Sequence, residues 1–382
     1  MKKLLAVLLA LLLVFVLAAC GGQDQSPDSD LSENMNTEKS GTINWNNIKL
    51  GVLSNANAND GGWGTAITKS IEQFISIHNL NDGQVLWVEG IEAGTEAVDN
   101  IITELVDDGC QVIIAHSGGY TSQFATAAAK YPDVYFAGFE CKVDTPNAMM
   151  YSVSDYQSEF LCGYLAALMS EGNELGIVAT MPTTTICRLI NAFAQGVKYA
   201  NPEGTVQVIF TNTWYDPAAE KEAAATLLAK GFNCLGYVGA SSAVAIACTE
   251  AGDGIYCTGN YVDMYSYGPS VVLTSYLLNW NAMLDDIATK VIEGTWDGET
   301  VIYTMAQGAA NVSDANKDIV PVEIIVQFEE TRAKVTAGEI DVFTGPLRDN
   351  RGNVLAAEGE KLEGVDLLSV SYLVENVTGS LP

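Results

Sequence analysis

The feature that most constrains this chain is a regular alternation of short β-rich runs with stretches of helical periodicity. The first run, residues 48–53 (IKLGVL), is followed by helical spacing at 61–77, and this unit recurs through residue 153. A second series of such units starts with a helix at 156–171. Strands that are joined through helices pair in parallel by right-handed crossovers, and helices cover both faces of the sheet. The alternation therefore predicts an α/β protein with two doubly wound parallel-sheet lobes.

The branched and aromatic content of the apolar runs predicts the strands, and apolar spacing predicts the helices between them. The predicted strands are 48–53, 84–89, 111–115, 134–139, 148–153, 174–179, 205–210, 233–238, 254–259, 271–275 and 301–305. The predicted helices are 61–77, 94–108, 121–130, 156–171, 184–200, 217–230, 241–251, 279–294 and 321–337. A Gly/Pro/Asn cluster at 344–353 indicates turns and predicts a hairpin-like end.

The N-terminus has the composition of a secretion signal. Two lysines precede a continuous apolar run at 4–16, and small residues lead into Cys20. The run is shorter than the roughly 20 residues that a membrane-spanning helix needs. The cysteine after the small residues resembles a bacterial lipoprotein signal, which implies cleavage after residue 19 and lipidation of Cys20. The polar, acidic residues 20–45 then form a linker that cannot bury enough apolar surface to order itself.

Length and charge limit the remaining organisation and the partners. At roughly 150 residues per domain, a chain of 382 residues predicts two domains. We expect one lobe from 46–153 plus 271–310 and the other from 154–270 plus 311–382. The formal net charge is −29, which repels phosphate backbones and argues against nucleic-acid binding.

Seven cysteines follow Cys20, an odd number with irregular spacing. No C-x-x-C pair occurs, and sequence alone does not give a connectivity. The sequence favours buried free thiols that act as small hydrophobic residues. A disulfide between Cys248 and Cys257 stays open as an alternative.

Hydrogen-bonding and aromatic residues cluster directly after the predicted strands. Ligands of open parallel sheets bind beyond the carboxyl ends of the strands. Trp63 follows the first strand of the first lobe, and Trp214 follows a strand of the second lobe. Two facing tryptophans would form a slot for a flat ring, with Asn and Asp side chains at its edge as hydrogen-bonding partners. The remaining candidates at strand ends are Asn59, Asp60, Ser117, Gly118, Tyr120, Asp155, Gly239 and Asp263.

Several of these segments resemble the basic membrane protein family of substrate-binding lipoproteins of ABC transporters, which are related to bacterial purine nucleoside receptors. The resemblance covers about residues 47–360. The segments that carry it are Asn57–Trp63 (NANDGGW), Tyr156–Tyr164 (YQSEFLCGY), Thr211–Glu222 (TNTWYDPAAEKE), Val272–Trp280 (VLTSYLLNW) and Thr344–Gly352 (TGPLRDNRG).

The resemblance implies a type I periplasmic-binding-protein fold with a three-segment hinge and a cleft that closes on a purine nucleobase or nucleoside. Trp63 and Trp214 would hold the base, and Asp60 and Asp263 would hydrogen-bond it. Ser117, Gly118, Tyr120, Asp155 and Gly239 would line the cleft. It also implies an extracytoplasmic, lipid-anchored monomer that passes its ligand to ABC permease and ATPase subunits.

One departure from the family pattern bears on the ligand. Nucleoside-binding members carry a lysine shortly after the V-L-T-S run, where this chain has Tyr276-Leu277-Leu278. We therefore favour a free nucleobase or another flat heterocycle. A sugar or an autoinducer-like solute, and a surface adhesin or sensor lipoprotein, stay open as alternatives.

The sequence does not favour an enzyme, a cofactor or a metal site. His116-Ser117 and Ser241 lack the G-x-S-x-G elbow of a serine hydrolase, although Asp155 could complete a triad. Asn55, Asn57 and Asn59 alternate like calcium ligands, but Ala66 stands where the loop needs glutamate. Zinc spacing and a phosphate-binding loop are also missing from the sequence.

Overall fold

The computed structural model describes residues 42–381. Within that range the helices are α1 Trp63–His78, α2 Glu96–Asp107, α3 Thr121–Lys130, α4 Tyr156–Met169, α5 Thr184–Ala200, α6 Pro217–Ala229, α7 Ala243–Ala251, α8 Asn281–Glu293 and α9 Val322–Thr336. The strands are β1 Leu50–Leu53, β2 Val85–Val88, β3 Val112–Ala115, β4 Tyr135–Phe139, β5 Ala148–Val153, β6 Glu174–Ala179, β7 Thr205–Phe210, β8 Cys234–Val238, β9 Tyr256–Gly259, β10 Val272–Leu278, β11 Val301–Tyr303, β12 Ala310–Val312, β13 Leu347–Arg348, β14 Val354–Ala356 and β15 Val377–Thr378.

The predicted α/β architecture is confirmed, including each predicted strand and helix and the hairpin near the end, formed by β13 and β14. The first sheet has the order β11-β5-β4-β3-β1-β2, and its strand pairs are all parallel. The second sheet has the order β12-β10-β9-β8-β6-β7-β15 and is parallel except for the β10–β12 pair. Strands β1, β3 and β6 are almost wholly buried, as expected when helices cover both faces of a sheet.

The lobes are divided differently from the expected boundaries. Strand β10 pairs with β9 in the second sheet, whereas the sequence predicts residues 271–310 in the first lobe. Helix α8 packs against α1 and β11 pairs with β5, so these two elements belong with the first lobe. The apolar run of β10 fits a buried strand in either sheet, and its pairing is decided by tertiary contacts with β9.

The chain passes between the two sheets three times, which gives the expected three-segment hinge. It leaves the first sheet after β5 and enters α4 at Tyr156. It returns after β10 through Trp280, whose backbone N–H donates to Ser70 Oγ on α1 at 3.1 Å. It crosses again between β11 and β12. Lobes joined in this way can rotate about a hinge.

Helices α4 and α5 of the second lobe cross at unusually close range through two glycines. A Cβ at Gly163 would lie 2.0 Å from Phe193 O, and a Cβ at Gly196 would lie 1.9 Å from Phe160 O. Side chains at these positions would collide with the facing backbone, so only glycine permits the crossing. The crossing fixes α5, whose N-terminal end reaches the space between the lobes.

The predicted signal peptide at 1–19, the predicted lipidation site Cys20 and most of the predicted linker at 20–45 lie outside the described residues. Within residues 42–381, no helix combines the length and the apolar composition that crossing a bilayer requires. All seven cysteines after Cys20 are buried free thiols, and Cys248 and Cys257 are among them.

Candidate functional site

A cavity of about 430 Å³ lies between the two lobes, at the carboxyl ends of strands from both sheets. The first lobe contributes loops after β1, β3 and β4, and the second lobe contributes loops after β6, β7, β8 and β9. Such an edge is where open parallel sheets bind their ligands. A volume of this size lies within the range of small-molecule sites.

Trp63 lines the cavity from the first lobe. It is the first residue of α1, and its ring is stacked on the buried His116 ring at 4.5 Å between centroids. Tyr261 and Trp280 pack against it in edge-to-face arrangements, with ring centroids 5.3 and 5.0 Å from the Trp63 centroid. These neighbours leave the indole few alternative rotamers, so its free surface is held in place at the cavity wall.

Trp214 lines the same cavity from the second lobe. It lies in the loop between β7 and α6, and 54% of its surface is exposed. Asp216 fixes the end of this loop, because its carboxylate accepts hydrogen bonds from the Ala218 and Ala219 N–H groups at the start of α6. The large exposed aromatic surface of Trp214 is therefore available to a ligand.

Asp60 also lines the cavity, but its carboxylate already has several donors. It accepts hydrogen bonds from the backbone N–H groups of Gly62 and Gly64, each at 2.8 Å, and from Thr65 N–H at 3.1 Å. These donors lie at the N-cap and in the first turn of α1, where a carboxylate at a helix start satisfies them. Asp60 thus positions Trp63, and any ligand contact would use its remaining acceptor capacity.

Three further predicted residues line the cavity through their loops: Ser117, Gly118 and Gly239. Ser117 Oγ accepts a hydrogen bond from Gly119 N–H at 3.3 Å and opens a short helical turn. Gly239 lies against Tyr237, whose ring would be 2.6 Å from a Cβ at that position. Contact of these residues with a ligand stays a prediction.

Two predicted cleft residues are buried behind the cavity wall, which corrects their expected place. Tyr120 is fully buried, and its hydroxyl donates to the Ile91 carbonyl. Asp155 is buried against Arg188, with Arg188 Nε 3.2 Å from Asp155 Oδ1. Both follow strand ends, but they point into the packed interior.

Asn59 and Asp263 are also displaced from the cavity. Asn59 is exposed beside it, whereas its neighbours Asn55 and Asn57 line it. Asp263 lines a separate surface groove along β10, where its carboxylate accepts from Tyr265 N–H at 3.0 Å. The loop after β9 turns away from the cleft at this residue, so Tyr261 faces the cavity instead.

The prediction missed cavity residues in two loops. Glu140 follows β4, and Thr180, Thr183, Thr184 and Thr185 follow β6. Both loops meet the strand-end criterion that selected Trp63, so applying it to every strand would have found them. Glu140 has a positive φ of 51°, a backbone conformation that sequence does not reveal for glutamate.

The residues considered for a hydrolase do not form a triad. His116 is fully buried, and burial lowers its pKa to about 3, so the imidazole is neutral at physiological pH. Neither of its ring nitrogens has a hydrogen-bond partner among the described residues. Asp155 is paired with Arg188, and Ser241 Oγ donates to Glu220. Residues 42–381 also contain no cluster of metal ligands.

The charged groups that line the cavity are acidic. Of the described residues that line it, none is lysine, arginine or histidine, whereas Asp60 and Glu140 carry carboxylates. Burial alone would raise the pKa of Glu140, but attraction to Arg188 and hydrogen bonds from Thr185 and Ser152 hold it below its usual value. Arg188 offsets part of the Glu140 charge from behind the wall, but the described lining residues offer a negatively charged ligand carboxylates and no cation.

Two α/β lobes joined by three crossings, with a solute-sized cavity between them, define a protein with the type I periplasmic-binding-protein fold. A solved ABC transporter solute-binding protein of Conexibacter woesei supports this class: it superposes with a TM-score of 0.63 at 18% identity, over 77% of this chain and 98% of that one.

The chain belongs to the Bmp family, because residues 47–343 match that family's model, described as ABC transporter substrate-binding protein PnrA-like. A purine-binding protein of Brucella abortus is 27% identical over 337 residues, 88% of this chain and 94% of that protein. A putative ABC transporter glucose-binding protein of Haloferax volcanii is 28% identical over 79% of this chain and 74% of its own length. The family resemblance found in the sequence is thereby confirmed, and with it an extracytoplasmic substrate-binding role.

Proposed function

We propose that this chain captures a purine nucleobase, or a closely related flat heterocycle, between its lobes for uptake by an ABC transporter. The observation that carries the proposal is that Trp63 and Trp214, from opposite lobes, line one cavity. Cleft closure would bring an indole to each face of a planar guest and expel water from both. Similarity to the purine-binding protein of Brucella abortus supports the same ligand class.

The polar groups at the cavity fit an uncharged heterocycle. Asn55 and Asn57 line the first lobe and can each donate and accept, as ring nitrogens and exocyclic groups of a base require. Hydroxyls of Thr180 and Thr184 lie on the second lobe. The carboxylates of Asp60 and Glu140, without a cation among the described lining residues, disfavour a nucleotide.

The location and partners follow from the same proposal. Cys20 would carry the lipid that anchors the mature chain to the outer face of the cell membrane, and residues 20–45 would tether the lobes. We propose that the chain acts as a monomer without catalytic activity. It would dock in its closed form on the permease, whose ATPase subunits drive transport.

Isothermal titration calorimetry tests the ligand. The soluble chain, starting after Cys20, is titrated with adenine, guanine, hypoxanthine, adenosine, AMP, glucose and ribose. We expect a purine base to bind with a Kd in the micromolar range or below, adenosine more weakly, and AMP not at all. Because a ligand that binds only the folded state raises the Tm, a thermal-shift series over the same compounds is an independent check.

A sugar is the second candidate, favoured by the similarity to the putative glucose-binding protein of Haloferax volcanii and by the hydroxyl-rich wall of the second lobe. Binding of glucose or ribose without binding of any purine would replace the proposed ligand by a sugar. Tight binding of AMP would contradict the electrostatic argument. Release of free base from adenosine would overturn the proposal that the chain is not an enzyme.

A further inference from the structure

The two lobes are joined beside the cavity by a buried ion pair that the captured solute does not explain. Glu140 follows β4 of the first lobe, and Arg188 lies on α5 of the second lobe. Arg188 Nη2 is 3.0 Å from Glu140 Oε1, with 1% and 15% of the two side chains exposed. Thr185, also on α5, donates to Glu140 Oε2 at 2.6 Å.

Glu140 is held in place by the first lobe. Its Oε1 also accepts from Ser152 Oγ on β5 at 2.9 Å, and its backbone is held at a φ of 51°. A left-handed conformation costs a non-glycine residue free energy and persists only where the surroundings enforce it. The carboxylate is thus aimed across the gap by the lobe to which it belongs.

Arg188 has other hydrogen-bond partners in the second lobe that it would keep after separating from Glu140. Its Nε and Nη2 donate to Asp155 Oδ1 and Oδ2 at 3.2 and 3.4 Å, and its Nη1 donates to the Leu367 carbonyl at 3.3 Å. Asp155 precedes α4, which packs tightly on α5, so it moves with the second lobe. Opening the cleft would leave Arg188 paired with Asp155, while Glu140 would become hydrated beside open solvent. A buried cation that lost its only partner would be far more costly.

We propose that Glu140 is an inter-lobe latch, which binds Thr185 and Arg188 only when the cleft is closed and thereby sets the closed fraction of the protein and the residence time of its solute. Any interaction made in one state alone shifts the population toward that state. Glu140 also lines the cavity, but its carboxylate oxygens are engaged by Ser152, Thr185 and Arg188, so we assign it a positioning role in capture. The inference holds for whichever solute the cleft takes.

The latch is tested first without any ligand. Spin labels at Glu104→Cys and Glu222→Cys, both exposed positions on α2 of the first lobe and α6 of the second, report the distance between the lobes by pulsed electron resonance. The seven native cysteines are buried, so the two introduced thiols label selectively. Glu140→Gln keeps an acceptor for one hydroxyl but removes the charge that Arg188 binds. We expect it to shift the distances of the unliganded protein toward the open form.

Glu72→Gln is the matched control, because it removes the same charge from an exposed helix position on the first lobe. Thr185→Val removes one latch hydrogen bond with little change in shape, and serves as a second probe if Glu140→Gln folds poorly. Combining both substitutions gives a double-mutant cycle, in which less-than-additive opening indicates a shared contact.

Binding of adenine provides the second readout. Loss of one charge-assisted contact is expected to raise the Kd about tenfold, equivalent to about 1.4 kcal/mol, chiefly through faster dissociation. Unchanged lobe distances in unliganded Glu140→Gln and Thr185→Val would overturn the latch, whatever the ligand. Failure of adenine to bind the parent protein would instead count against the proposed ligand and leave the distance test valid.

Discussion

The clearest test of the stacked-ring site is Trp214→Ala. A tryptophan side chain offers up to about 250 Å² of surface, of which the exposed 54% amounts to about 135 Å². A flat ligand would cover one face, about half of that area, which at about 25 cal/mol per Å² contributes about 1.7 kcal/mol. Ring stacking adds roughly 0.5–1.5 kcal/mol. The substitution should therefore cost about 2.5 kcal/mol of binding, or roughly 70-fold in Kd.

Calorimetric titration with the best-binding purine base measures this loss. Because Trp214 is largely exposed and lies in a loop, its removal should leave the Tm nearly unchanged. Trp214→Phe keeps a smaller ring and should weaken binding only about fivefold, in proportion to the area and stacking retained. Tyr265→Ala removes another partly exposed aromatic from the second lobe, outside the cavity, and should bind as the parent does. A Kd for Trp214→Ala within twofold of the parent would refute stacking on this ring.

Three further predictions concern stability and thiols. Gly163→Ala places a methyl group 2.0 Å from Phe193 O and should lower the free energy of unfolding by about 3 kcal/mol, whereas Gly172→Ala, with no atom within 4 Å, should be neutral in denaturant titrations. The pKa of His116 is about 3 in the folded protein and near 6.5 in the unfolded chain, so below pH 6.5 the unfolded chain takes up a proton that the folded protein does not. The free energy of unfolding is therefore unaffected by His116 above pH 6.5 and falls as the pH is lowered from 6.5 toward 3. The parent should thus lose about 1.4 kcal/mol per pH unit relative to His116→Leu between pH 6 and 4, and parallel curves would show that His116 is not buried neutral. Titration with an aromatic disulfide reagent should find the seven cysteines unreactive in the native chain and all seven reactive in denaturant. A count of five reactive thiols in denaturant would indicate one disulfide.

The architecture could be predicted because its signals are local. Branched apolar runs such as 174–179 and helical spacing such as 184–200 each specify an element, and their alternation specifies parallel pairing. The assignment of β10 to a lobe was wrong because a buried apolar strand fits the middle of either sheet. Sequence encodes that choice only through its contacts with β9.

The cavity could be predicted only as far as the strand-end rule reaches. The rule locates Trp63 and Trp214 because each lies in the loop directly after a strand. It does not say which way a side chain points, and for that reason Tyr120 was wrongly expected at the cleft. Its hydroxyl finds the Ile91 carbonyl, a partner distant in sequence and close only in the fold.

Asp155 shows how a residue at a strand end can serve the site without lining it. A carboxylate buried with Arg188 costs desolvation energy that the pair alone need not recover. That cost is understandable if the pair keeps Arg188 charged and fixed while the cleft opens, ready to bind Glu140 again on closure. Replacing Asp155 with asparagine should then destabilise the open form more than the closed one. In the open form of the variant Arg188 has no carboxylate partner, whereas in the closed form it still binds Glu140. The same spin-labelled pair of positions would show this as a shift toward closed distances, and a shift toward open distances would contradict it.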